Sequence, residues 1–69
     1  MKTGEIVKDI LQEKGLKISW LADKLNIKNN TLSNRLCGEL KIDFAIKICD
    51  VLKISLDEIY NRYQLARNN

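Results

Sequence analysis

The chain has 69 residues, 45% of them hydrophobic, and a formal net charge of +3 at pH 7, which predicts one small folded domain over residues 1–69 and leaves no room for a second core. No apolar run approaches the ~18 residues of a bilayer span, and no signal-peptide region is evident, so we expect a soluble cytoplasmic protein without a membrane partner. The chain has no His and two Cys, so we expect no catalytic centre, no metal site and no cofactor.

Apolar residues recur at helical spacing along a chain that has no Pro and three Gly, which predicts an all-α fold of five helices. In chain order, the first four predicted helices cover about residues 5–14, 18–25, 29–37 and 42 or 43 to 53, and a fifth follows. Thr3 is the expected N-cap of the first helix and Gly15 its left-handed stop. Asn26 ends the second helix in the same left-handed conformation. Trp20, on the outer side of that helix, is expected to be partly buried in the core; the alternative is a contact with a DNA backbone or a partner.

The fifth helix has the clearest start signal in the sequence. Ser55 and Glu58 form a capping box, and Ile54 and Ile59 are spaced as a hydrophobic staple. Residues 67–69 are expected to fray. The buried stripe of this helix is predicted to consist of Leu56, Ile59, Tyr60 and Tyr63, with one Tyr able to extend into a dimer contact.

The two cysteines are interpreted as structural residues. Cys37 and Cys49 form no C-x-x-C motif, and a chain without His cannot complete a zinc site with two thiols. Cys49 stands among the apolar residues of the fourth helix, which is typical of a core position. A disulfide is not expected in a cytosolic protein.

The positive charge is concentrated in the middle of the chain. Residues 1–16 and 42–69 each sum to zero, whereas residues 17–41 carry the whole excess of three positive charges. A concentrated positive charge suits a polyanionic partner, because neutralising phosphates releases counterions. The charged residues of this segment are Lys17, Lys24, Lys28, Arg35 and Lys41 against Asp23 and Glu39.

The third predicted helix is unusually rich in Asn, Ser and Thr. These residues are poor helix formers because their side chains compete for backbone hydrogen bonds. Leu21 and Ala22 are expected to pack the second helix against the core, and Leu32 and Leu36 to pack the third. Because a short turn at Asn26 joins these two helices, the sequence predicts a helix-turn-helix over residues 18–37. A polar helix projected in this way fits the major groove of B-DNA.

Two sets of DNA-contacting residues follow from this placement. Amide and hydroxyl side chains near the start of the third helix can bond base edges, whereas flanking cations can bond phosphates. The predicted base-reading residues are Lys28, Asn29, Asn30, Thr31, Ser33 and Asn34. The predicted phosphate-binding residues are Lys17, Lys24, Arg35 and Lys41.

The stretch KISWLADKLNIKNNTLSNRLCG, followed by ICDVLKISLDEI, resembles the lambda-repressor/Cro-type helix-turn-helix family over about residues 4–60. The resemblance implies a compact five-helix bundle and a DNA-binding transcriptional regulator. It also implies binding of operator half-sites through residues 29–37.

The sequence departs from the family pattern at several positions. Ile18 stands where the family commonly has a DNA-contacting Gln, and Asn26 stands where the turn usually has Gly. Lys17 and Lys28 replace the capping Ser or Thr before the second and third helices. The connection at residues 39–41 is about two residues shorter than usual.

Two functions from different classes remain open. The first is a sequence-specific regulator, a repressor that binds a palindromic operator in double-stranded DNA as a homodimer. The second is an antitoxin-like or adaptor module that uses the same bundle to hold a protein partner. Steep salt dependence of binding would favour DNA, whereas a flat response would favour the protein partner.

Overall fold

The structure is a computed structural model that describes residues 2–67, and within that range the regular elements are five α-helices. This confirms the all-α prediction. The helices are α1 (Thr3–Glu13), α2 (Ile18–Leu25), α3 (Asn29–Arg35), α4 (Ile42–Leu52) and α5 (Leu56–Arg67). Of the residues predicted to fray, Asn68 and Asn69 lie outside the described range.

Helix α1 begins one residue earlier than its predicted cap. Lys2, in an extended conformation, is the N-cap, and Thr3 is already helical, so the prediction of Thr3 as N-cap is wrong. The Thr3 hydroxyl serves another segment of the chain. Its Oγ1 accepts a hydrogen bond from the Leu40 backbone N–H at 2.7 Å and donates one to Glu39 Oε2 at 2.9 Å. The start of α1 therefore fixes the connection between α3 and α4.

The predicted turn residues behave as expected. Gly15 has a φ of 71° after α1, and Asn26 has a φ of 59° after α2, which confirms both left-handed stops. Helix α3 is shorter than predicted, since it ends at Arg35 and its C-cap is Leu36. Cys37 consequently lies in a turn and is exposed, whereas Cys49 is buried. Cys49 therefore occupies the core position that was predicted for it.

Helix α5 is rotated relative to the predicted stripe. Ile59 is buried and Tyr63 is half-buried, but Leu56 is 38% exposed and Tyr60 is 59% exposed. The prediction that all four residues form the buried stripe is therefore wrong for Leu56 and Tyr60. Helix α5 packs against α1 and α4. This packing buries the edge that carries Ile59 and Tyr63 and leaves the adjacent edge, with Leu56 and Tyr60, exposed.

The core is contributed by all five helices, and Trp20 is half-buried against it, as predicted. Helix α2 packs against α3 and α4, so the helix-turn-helix is seated on the core through its first helix, α2. None of the helices in the described range is long and apolar enough to cross a membrane. The fully buried large side chains are Ile6, Val7, Ile10, Leu11, Leu21, Leu32, Leu36 and Ile48.

Candidate nucleic-acid interface

A tight turn joins α2 to α3. The Asn26 N–H donates to the Asp23 carbonyl at 3.1 Å, and the Ile27 N–H donates to the Ala22 carbonyl at 3.0 Å. These bonds satisfy the last carbonyls of α2, and the left-handed Asn26 reverses the chain. Ala22 is 2% exposed, and its small side chain lets the two helices approach closely. The turn therefore gives α3 a fixed orientation relative to α2.

Helix α3 buries one edge and exposes the opposite one. Leu32 is fully buried, and Leu36 continues the same edge one turn later. Asn30 and Asn34 are four residues apart and exposed, so they form one row on the outer face. Among the other predicted base-reading residues, Lys28 and Asn29 are exposed, whereas Thr31 and Ser33 are half-buried.

Lysine occupies the N-cap of each of the first four helices. Lys17, Lys28 and Lys41 precede α2, α3 and α4 in extended conformations, and none makes a side-chain cap hydrogen bond. The start of a helix already carries partial positive charge, so a cation there is unfavourable for the helix. The same arrangement adds to the positive potential at the N-termini of α2, α3 and α4.

Arg35 and Lys41 line one cleft between the end of α3 and the start of α4. The cleft has a volume of about 380 Å³. Two further residues of this cleft, Lys47 and Phe44, were missed at the level of sequence because they lie on α4 and no spacing rule relates them to Arg35. The structure thus brings Arg35 and Lys41 together, as two of the four predicted phosphate-binding residues.

The other two predicted phosphate-binding residues lie apart from that cleft. Lys17 stands at the start of α2 and Lys24 in its last turn, so they occupy opposite ends of an eight-residue helix. Lys24 Nζ lies 5.8 Å from the centroid of the Trp20 ring, within range of a cation–π contact. Both lysines are exposed.

A family model for the Cro/C1-type HTH DNA-binding domain matches residues 7–64. The chain belongs to this family. The match spans all of α2, α3 and α4, so the Cro/C1-type domain includes the turn at Asn26, the exposed row on α3 and the cleft at Arg35. No curated protein and no solved structure gives a significant match to the chain.

The Cro/C1-type fold makes this protein a DNA-binding domain. Its side chains suit that role, because amides can bond base edges and cations can bond phosphates. Within the described residues, no group of three or more Cys, Asp or Glu side chains is placed to hold a metal ion.

Proposed function

We propose that this protein is a sequence-specific transcriptional regulator, a repressor, that reads the major groove of duplex DNA with α3. The observation that carries the proposal is the exposed amide row formed by Asn30 and Asn34 on a helix seated by Leu32. A helix of this kind fits the width of the major groove. Asn, Ser and Thr weaken the helix itself, so their concentration there has a functional rationale.

The side chains of α3 divide by their access to the groove. Asn30 and Asn34 stand at the centre of the outer face, and an Asn amide can bond adenine N6 and N7 together. Lys28 and Asn29 stand at the helix start, where residues reach base edges most directly. Thr31 and Ser33 flank the row and are half-buried, so they contribute a methyl or a hydroxyl at its margins.

Phosphate contacts then come from the lysine N-cap of α2 and from the cleft behind α3. Lys17 adds a cation to the start of α2, and Lys24 extends the positive surface toward the turn. Arg35 and Lys41 serve the phosphate backbone at the other end of α3. These contacts position the protein and strengthen binding to every DNA sequence alike.

We further propose that two copies bind a palindromic operator. The described residues measure 34 × 24 × 22 Å, and half-sites one helical turn apart are separated by about 34 Å, so neighbouring copies would touch. An apolar groove of about 340 Å³ lies between α4 and α5, and Ile42, Leu56 and Tyr60 are its exposed walls. Its one lining charge is Asp57, which suits a protein surface better than phosphate.

A stable interface buries roughly 800 Å² per partner, and the groove offers only three exposed apolar side chains toward that area. We therefore expect a dimer that is weak in free solution and forms on DNA. Binding should be cooperative on a two-half-site duplex and weak on a single half-site. A Tyr60→Ser variant should lose this cooperativity while it retains its affinity for one half-site.

Selection of bound sequences from random duplex DNA tests the proposal. We expect enrichment of two inverted half-sites about 10 base pairs apart, centre to centre. On the selected duplex, Asn30→Ala should cost about 1–3 kcal/mol at one base pair, whereas Lys41→Ala should weaken all sequences equally. Equal loss on selected and random DNA by both variants would show that Asn30 does not read a base.

The alternative function is an antitoxin-like or adaptor module. The observation that favours it is the same apolar groove, which could hold another protein instead of a second copy. Salt dependence separates the two, since each phosphate contact contributes about −0.9 to the slope of log affinity against log salt. No enrichment of any duplex, together with salt-insensitive binding of a protein partner, would establish the alternative.

A further inference from the structure

Arg35 and Phe44 form a stacked pair across two helices. Arg35 is the last residue of α3, and Phe44 lies in the first turn of α4. The Arg35 Cζ atom is 4.7 Å from the centroid of the Phe44 ring. Phe44 is half-buried and packs against the core, whereas Arg35 is exposed. The core therefore holds the ring, and the ring restricts the guanidinium.

The acidic residues nearby leave Arg35 unpaired. Glu39 and Asp43 line the same cleft, but the Glu39 carboxylate accepts hydrogen bonds from the Thr3 hydroxyl at 2.9 Å and the Thr3 N–H at 3.4 Å. Among the side chains that the structure describes, up to residue 66, the one ion pair joins Arg62 to Glu13. None of the side-chain hydrogen bonds and ion pairs among the described residues involves Arg35. A guanidinium above an aromatic ring keeps its N–H donors available for an anion.

We propose that Phe44 is a positioning residue, which holds the Arg35 guanidinium in the orientation that bonds a DNA phosphate. Arg has many rotamers, and fixing such a side chain on binding has an entropic cost. Stacking on Phe44 removes part of that cost before DNA arrives. Lys41 and Lys47 on the other wall of the cleft add attraction for the same anion. This inference rests on the proposed DNA-binding function.

A double-mutant cycle tests the inference on a duplex that the wild-type protein binds. Phe44→Leu retains an apolar side chain at a core-facing position, and we expect it to weaken binding by about three- to tenfold. Arg35→Ala should weaken binding and lower the salt slope by about 0.9. In the Arg35→Ala background, Phe44→Leu should have no further effect on affinity.

Val51→Ala is the matched control, because Val51 is also half-buried on α4, two turns from Phe44, and does not line the cleft. We expect it to lower the melting temperature without weakening DNA binding. An equal loss from Phe44→Leu in both backgrounds, no loss at all, or the same loss from Val51→Ala would overturn the inference.

A second readout needs no DNA. The ring current of Phe44 should shift the Arg35 Nε–H resonance of the free protein upfield, and Phe44→Leu should abolish that shift. Absence of the shift in the wild-type protein would overturn the stacking. If the shift is present but the wild-type protein binds no duplex, the proposed DNA-binding function is wrong, and the phosphate role of Arg35 is wrong with it. If the protein binds DNA but the double-mutant cycle is additive, only the positioning role of Phe44 is wrong.

Discussion

The backbone of Gly4 lies directly against the backbone of Gly38. The Gly4 N–H donates to the Gly38 carbonyl at 3.0 Å, and a Cβ on Gly4 would stand 2.5 Å from both that oxygen and the Leu36 carbonyl oxygen. Together with the bonds of Thr3 to Glu39 and Leu40, this contact attaches the start of α1 to the segment between α3 and α4. The position of the cleft at Arg35 therefore depends on a helix that is remote in sequence.

The contact predicts different outcomes for two Gly→Ala variants. Gly4→Ala should destabilise the protein by about 1–3 kcal/mol or more, because the atoms that it meets are backbone carbonyls that cannot rotate away. Gly38→Ala is the matched control, since a Cβ there has no neighbour within 4 Å, and its effect should remain within about 0.5 kcal/mol. Urea unfolding of both variants measures the difference. Equal stability of the two variants would contradict the close approach.

Replacing Lys17 should raise the stability of the protein and weaken its binding to DNA. As the N-cap of α2 it makes no side-chain cap bond, and Ser is a strongly preferred residue there. Lys17→Ser should stabilise the protein by about 0.5–2 kcal/mol. It should also lower the salt slope of DNA binding by about 0.9, because the phosphate contact proposed for Lys17 would be lost.

Lys53→Asn provides the control for that variant. It removes the same charge from the far end of α4, and Asn tolerates the left-handed conformation (φ 59°) that Lys53 adopts. We expect unchanged salt dependence and no loss of stability. If Lys53→Asn lowers the slope as much as Lys17→Ser does, the effect reflects net charge and not a contact at α2.

Much of this fold follows from local signals in the sequence. The bounds of α2 and the left-handed Asn26 and Gly15 depend on residues a few positions apart, which periodicity and capping rules describe. The exposure of Tyr60 does not follow from such local signals. Helix α5 carries two adjacent apolar edges, Leu56 with Tyr60 and Ile59 with Tyr63, and only its packing against α1 and α4 decides which edge is buried.

The candidate site shows the same division. The row formed by Asn30 and Asn34 can be predicted from the sequence because residues four apart share one face of a helix. The stacking of Arg35 on Phe44 joins residues nine positions apart on different helices, and the engagement of Glu39 by Thr3 spans 36 positions. Such contacts depend on how the helices pack, and no local rule predicts them.

The two cysteines should differ in reactivity. Burial raises the pKa of the Cys49 thiol, and the Asp50 and Glu58 carboxylates raise it further, so little of the reactive thiolate forms at neutral pH. Cys37 is exposed. A thiol reagent such as DTNB should label Cys37 rapidly in the folded protein and Cys49 only on unfolding. Rapid labelling of a Cys37→Ser variant under native conditions would contradict the burial of Cys49.

The ion pair between Glu13 and Arg62 predicts a pH dependence of stability. Arg62 Nη1 and Nη2 donate to the two Glu13 oxygens at 2.7 and 2.8 Å, which ties α1 to α5. The hydrogen bond from Arg62 lowers the pKa of Glu13 below its usual 4.5. Because the folded-state pKa is the lower one, the pair stabilises the protein above the unfolded pKa, and this contribution disappears as pH falls through the folded value.

Melting temperatures of the wild-type protein and of Glu13→Gln, measured from about pH 7 to about pH 2, test this linkage. The wild-type protein should melt higher at neutral pH, and the difference should shrink as Glu13 becomes protonated. High salt should reduce the difference at pH 7, since both side chains reach solvent. In an Arg62→Gln background, Glu13→Gln should leave the pH profile almost unchanged. A difference that persists at the lowest pH would mean that the Glu13→Gln substitution alters packing instead of removing a charge pair.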